Sequence, residues 1–77
     1  MDLEKARQNR EDIIAAEVGD VFMTPNDFRI EVNGRVGDVL DISTKYVGRF
    51  ANVTPEGALG PLATRMTVAQ LIQAVNS

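Results

Sequence analysis

The chain has 77 residues, of which 44% are hydrophobic and 25% charged, and its 8 basic and 11 acidic residues give a net charge of −3. This length suits one domain spanning residues 1–77, which buries about 60% of its unfolded surface, and the composition excludes disorder and fibrous repeats. Cysteine and histidine are both absent, which excludes a disulfide framework, a thiolate zinc site, and the commonest general base and nucleophile partner.

Residues 2–18 read as a helix, because Leu, Glu, Lys, Ala, Arg and Gln fill them and no Gly or Pro precedes Gly19. Asp2 is the expected N-cap and Gly19 the C-terminal stop. Apolar spacing is weak at first: Leu3 and Ala6 lead to Arg10, where a core residue belongs, and only then to Ile13, Ile14 and Val18. The first half is therefore expected to face solvent, supported by charge pairs Glu4–Arg7 and Arg7–Glu11.

From Asp20 the period changes to that of strands. Val21–Thr24 forms a short strand that ends at the turn cluster Pro25-Asn26-Asp27. Phe28, Ile30 and Val32 then alternate with Arg29 and Glu31. Asn33-Gly34 supplies two residues that tolerate positive φ, which predicts a type I′ hairpin turn there. A plain two-residue hairpin at that point sets Val39 opposite Phe28. A bulge at Gly37-Asp38 instead brings Leu40 opposite Phe28 and places Leu40 and Ile42 on the face of Phe28 and Ile30, so the bulge is predicted.

Ser43-Thr44 is expected to turn the chain into a further strand, Lys45–Val53, with Tyr46, Val47, Phe50, Ala51 and Val53 as its apolar residues. Thr54–Gly57 reads as a turn and residues 58–63 as an edge strand or loop, since Pro61 donates no ladder hydrogen bond. Thr67 and Gln70 make a capping box, Met66 is placed to staple onto Leu71, and Val68, Leu71, Ile72 and Val75 form the apolar face of a short C-terminal helix.

These elements predict an α+β fold: an N-terminal helix, a three- to four-stranded antiparallel meander able to curl into a small barrel, and a short C-terminal helix. The expected core is Ile13, Val21, Phe28, Ile30, Val32, Leu40, Ile42, Phe50, Val53, Leu71, Ile72 and Val75.

Chemistry is sparse. Asp38 and Asp41, with Asp20 and Asp27, are the densest carboxylates, but their spacing matches no calcium loop, and solvated surface carboxylates account for them. Gly34-Arg35-Val36-Gly37 has the form of the loop with which KH domains clamp a nucleic-acid backbone. That loop joins two helices, whereas this one falls in a hairpin, so turn and bulge glycines explain it. Asn52-Val53-Thr54 is a glycosylation sequon, relevant only to an exported chain. No catalytic residue, cofactor or metal site is predicted.

Two surfaces remain. Ile13 and Ile14 diverge by about 100° around a helix, so one sheet face does not bury both; with Arg10 at the rim they form a candidate protein-contact stripe, open to self-association or a partner groove. Lys45, Tyr46, Arg49 and Phe50 form a candidate stacking platform with cations for single-stranded nucleic acid, although the net charge disfavours that partner. The charged N-terminus lacks a signal-peptide pattern, and no apolar run reaches the roughly 20 residues of a membrane span. The expectation is thus a cytoplasmic, non-enzymatic binding or regulatory protein acting through protein–protein contacts, of the kind phages and mobile elements use as accessory or inhibitor proteins. A small nucleic-acid-binding module is the alternative.

Overall fold

A computed structural model describes residues 2–48 and 64–77. Its elements are α1 (Leu3–Ile14), β1 (Val21–Met23), β2 (Phe28–Val36), β3 (Val39–Tyr46), β4 (Thr64–Thr67) and α2 (Val68–Val75). The strands form one antiparallel sheet in the order β1-β2-β3-β4. This is the α+β architecture read from the sequence, with the sheet left open and not curled into a barrel. No helix among the described residues is long and apolar enough to cross a membrane.

α1 begins where its cap dictates, with the Asp2 carboxylate accepting from the Glu4 amide at 3.0 Å. Its first turns are exposed, and Glu4 pairs with Arg7 at 2.7 Å. The helix stops at Ile14, well before Gly19. Beyond it the backbone is claimed by the sheet: the Gly19 amide donates to the Val32 carbonyl at 2.9 Å, and the Val32 amide donates to the Asp20 carbonyl at 2.9 Å. Gly19 takes φ +96 within this connection, which its missing Cβ permits. Ala16 turns into the core, and Val18 is left on the surface.

The hairpin between β2 and β3 corrects the sequence reading in a specific way. Its turn is Gly37-Asp38 and its irregularity lies at Asn33, between the pairs Val32↔Ile42 and Gly34↔Asp41. Gly37 has φ +59 while Asp38 stays at negative φ, the pattern of a type II′ turn. Turn and bulge have exchanged the places assigned to them. Phe28 consequently faces Tyr46, neither Leu40 nor Val39, and Ser43 and Thr44 lie within β3 instead of turning the chain. The bulge still performs its expected task, since Leu40 and Ile42 share the inner face with Ile30 and Val32.

The β1–β2 connection is built on Thr24. Its amide donates to the Phe28 carbonyl at 2.9 Å, and its hydroxyl accepts from the Phe28 amide at 3.1 Å. Asp27 sits at φ 68, a left-handed position that Asp tolerates. At the other end of the chain, the Thr67–Gln70 capping box is complete in both directions.

Both helices cover one face of the sheet, and the core lies between the layers. Among the described residues it comprises Ile13, Ala16, Ile30, Val32, Leu40, Ile42, Val68, Leu71 and Val75, with Phe22, Met66 and Ile72 packed at its margin. Each fully buried aliphatic side chain is worth about 1.5–3 kcal/mol relative to exposure. Val21, expected inside, is 41% exposed, because the strand alternation turns Phe22 inward in its place. Phe28 and Ile72 are half-buried at the edge of the core. Phe50, Val53, the expected Lys45–Val53 strand beyond Gly48, the Thr54–Gly57 turn and the 58–63 segment lie outside the described residues.

Candidate functional site

α1 and α2 run antiparallel, because both ends of the pair are fixed. At one end Asn9 Nδ2 donates to Asn76 Oδ1 at 2.9 Å, and Asn76 Nδ2 donates to the Ala6 carbonyl at 3.1 Å. At the other, the hairpin turn holds both helices. The Val68 amide, first in α2, donates to the Asp38 carbonyl at 2.8 Å. Arg35 donates through Nη1 to the carbonyls of Ile14 at 2.8 Å and Ala16 at 2.9 Å, and through Nε to that of Gly37 at 2.8 Å. Amide and guanidinium thus satisfy helix-end groups that a short helix leaves orphaned.

Between these two clamps the outer surfaces of the helices form a groove of about 450 Å³, lined by Arg10, Ile14, Asp38, Thr67, Val68, Ala69 and Ile72. Ile14 is 48% exposed there, while Ile13 beside it is 0% exposed in the core. Adjacent helix residues diverge by about 100°, which separates the two isoleucines as the sequence implies. The groove therefore has an apolar floor with a cation and a carboxylate on its rim.

The residues singled out from the sequence fall into separate places. Arg10 and Ile14 come together in the groove. Ile13 lies in the core, as its place among the expected core residues implies, and is corrected only as a member of the contact stripe, since it does not line the groove. Lys45 is exposed on the open face of the sheet, opposite Arg29 in the register. Tyr46, next in the strand, points to the helix side and meets Phe28 edge-on at 5.5 Å between ring centroids. Gly48 lies directly against the Tyr46 ring, where a Cβ has no room. Arg49 and Phe50 lie outside the described residues.

The carboxylates are dispersed. Asp41, on the open face, pairs with Arg65 at 2.9 Å, Asp38 occupies the hairpin turn, Asp20 accepts from the Glu17 amide, and Asp27 stands in the β1–β2 loop. Among the described residues no three Asp or Glu side chains gather in a way that could hold a metal ion.

Sequence reasoning assigned Ile72 to the core and passed over Ala69. The signal for the groove was present in the C-terminal helix: Ala69 and Ile72 stand three apart, on a face adjacent to the buried Val68, Leu71 and Val75. Comparison of the chain with family models, with curated proteins and with solved structures finds no match in any of the three.

Proposed function

We propose that the chain is a non-enzymatic binding or regulatory protein that contacts a partner protein through the α1–α2 groove. One observation carries this reading: Ile14 stands half-exposed over an apolar floor of Val68, Ala69 and Ile72, flanked by Arg10 and Asp38. An apolar centre inside a polar rim, from which a partner excludes water, is the usual anatomy of a protein contact. The absence of His and Cys from the sequence supports a role without catalysis.

The test compares affinity capture by the wild-type chain with capture by Ile14→Glu and Ala69→Arg, each checked by circular dichroism. The expected result is a protein retained by the wild type and lost from both folded variants. Equal retention by all three, or recovery of nucleic acid alone, overturns the reading.

The nucleic-acid alternative draws on Lys45 beside Arg29 on the open sheet face. It gains less support, because Tyr46 is turned to the opposite face and packed on Phe28, away from those cations. Salt-sensitive binding of single-stranded oligonucleotides that is lost in Lys45→Ala is its distinguishing outcome.

A further inference from the structure

The outer edge of β1 is unpaired among the described residues, and its backbone defines what fits there. Asp20, Phe22 and Thr24 direct their hydrogen-bonding groups toward β2: the Val32 amide donates to Asp20, Phe22 pairs with Ile30, and the Thr24 amide donates to Phe28. By alternation, the N–H and C=O groups of Val21 and Met23 point away from the sheet. The ladder they offer is closed at both ends. The Gly19 amide is already donated to Val32, and Pro25, the next outward position, has no N–H. The side chains of Val21 and Met23 are 41% and 48% exposed on the open face, while Phe22 lies half-buried on the helix side. Beside Phe22 a groove of about 530 Å³ separates α1 from this edge.

We propose that a second copy of this chain pairs here, β1 against β1, antiparallel about a two-fold axis at Phe22. In that register Val21 of each copy forms a hydrogen-bonded pair with Met23 of the other, so every outward backbone group of the strand is satisfied. Val21 meets Met23 of the second copy on the open face. Phe22 meets Phe22 as a non-hydrogen-bonded pair, with Cα atoms about 4.5 Å apart. Three apolar side chains thus each gain an apolar partner, and the sheet continues across the axis.

The ladder offers any strand the same backbone hydrogen bonds through Val21 and Met23, so the side chains and charges beside it choose the occupant. A copy ends where this edge ends and sets Val21 against Met23 and Phe22 against Phe22. Charge agrees at the margins. Lys5 lines the Met23–Pro25 end of the edge and Asp20 the Val21 end, and neither forms an ion pair within the described residues. The two-fold axis sets Lys5 of each copy toward Asp20 of the other.

Sedimentation velocity over a concentration series tests this. The wild-type mass is expected to double from 8.4 kDa as concentration rises. Val21→Lys and Met23→Pro, which alter groups unused within the chain's own sheet, are expected to weaken association by about tenfold or more with unchanged circular dichroism. Phe22→Cys, in a chain with no other cysteine, is expected to oxidise to a covalent dimer, and Ile14→Glu in the helix groove is expected to leave association unchanged. A wild type that stays monomeric to millimolar concentration overturns the proposal, whether solvent or a foreign strand then occupies the edge. A dimer that survives both edge variants, or that is abolished by Ile14→Glu, overturns it as well.

Discussion

Arg35 donates a 2.8 Å hydrogen bond to the Ile14 carbonyl, joining the hairpin end of β2 to the last residue of α1. The same guanidinium reaches Ala16 and Gly37, so helix end, connection and hairpin turn share one cation. A positive charge at a helix C-terminus also opposes the partial negative charge of its free carbonyls. Because Arg35 is half-buried, Arg35→Ala is expected to cost about 1–2 kcal/mol, read as a lower urea midpoint at unchanged slope. Arg35→Lys keeps the charge but not the fork that reaches three carbonyls, and is expected to recover only part of that loss. An Arg35→Ala midpoint equal to wild type would show the cluster to be energetically idle.

The two hairpin glycines are expected to respond to a different degree. Gly37 occupies φ +59, where an added Cβ meets the backbone, so Gly37→Ala is expected to cost about 1–2 kcal/mol and Gly37→Asn less. Gly34 has no positive φ, and its Cβ would lie 3.1 Å from Asp41 Oδ2, the end of an exposed side chain that can rotate away. Gly34→Ala is expected to cost under about 1 kcal/mol, the worth of the exposed Asp41–Arg65 pair that it disturbs. Thermal denaturation of both variants checks the order; a larger loss at Gly34 would return the turn to Asn33-Gly34.

That hairpin marks the limit of what the sequence discloses. Asn33-Gly34 and Gly37-Asp38 are both competent turn pairs, and local propensity favours the first. The choice is made by pairing at a distance. A turn at Gly37-Asp38 lets Val32 face Ile42, Ile30 face Thr44 and Phe28 face Tyr46, so β2 and β3 are paired along nearly their full length. The helix termini were legible because a cap is local, as Asp2 and the Thr67–Gln70 box show. The end of α1 was not, because Arg35 and Val32, distant in sequence, take the backbone groups that would have continued it. Half of the groove was legible as Arg10 and Ile14. Its other half, Ala69 and Ile72, depends on how α2 lies against α1, which no local pattern encodes.

Thr67 caps a helix of 8 residues, too short to persist without tertiary support. Thr67→Ala removes the hydroxyl that accepts from Gln70 and is expected to cost about 1 kcal/mol, with Thr67→Ser close to wild type. Because α2 supplies Val68, Leu71 and Val75 to the core, the loss is expected in global unfolding and not as local fraying alone. Urea titrations followed by circular dichroism measure it. Loss of helical signal in Thr67→Ala without a shift in the main transition would place α2 outside the cooperative unit.

Ile13 and Ile14 are chemically identical neighbours with opposite environments, and they separate packing from recognition. Ile13 is 0% exposed, and Ile→Ala at such a site costs about 2–5 kcal/mol, a large share of the stability of a small domain. Ile13→Val, at about 0.5–1.5 kcal/mol, is the measurable form of the same loss. Ile14, 48% exposed on the groove, is expected to tolerate Ala within about 0.5 kcal/mol, as surface positions do, while the partner protein is lost. Ile13→Val is expected to do the reverse, lowering the urea midpoint while retaining the partner whenever the chain is folded. Paired unfolding and capture measurements on the two variants decide the matter: if both lose stability equally, or if Ile13→Val loses the partner and Ile14→Ala keeps it, the groove is not the contact surface.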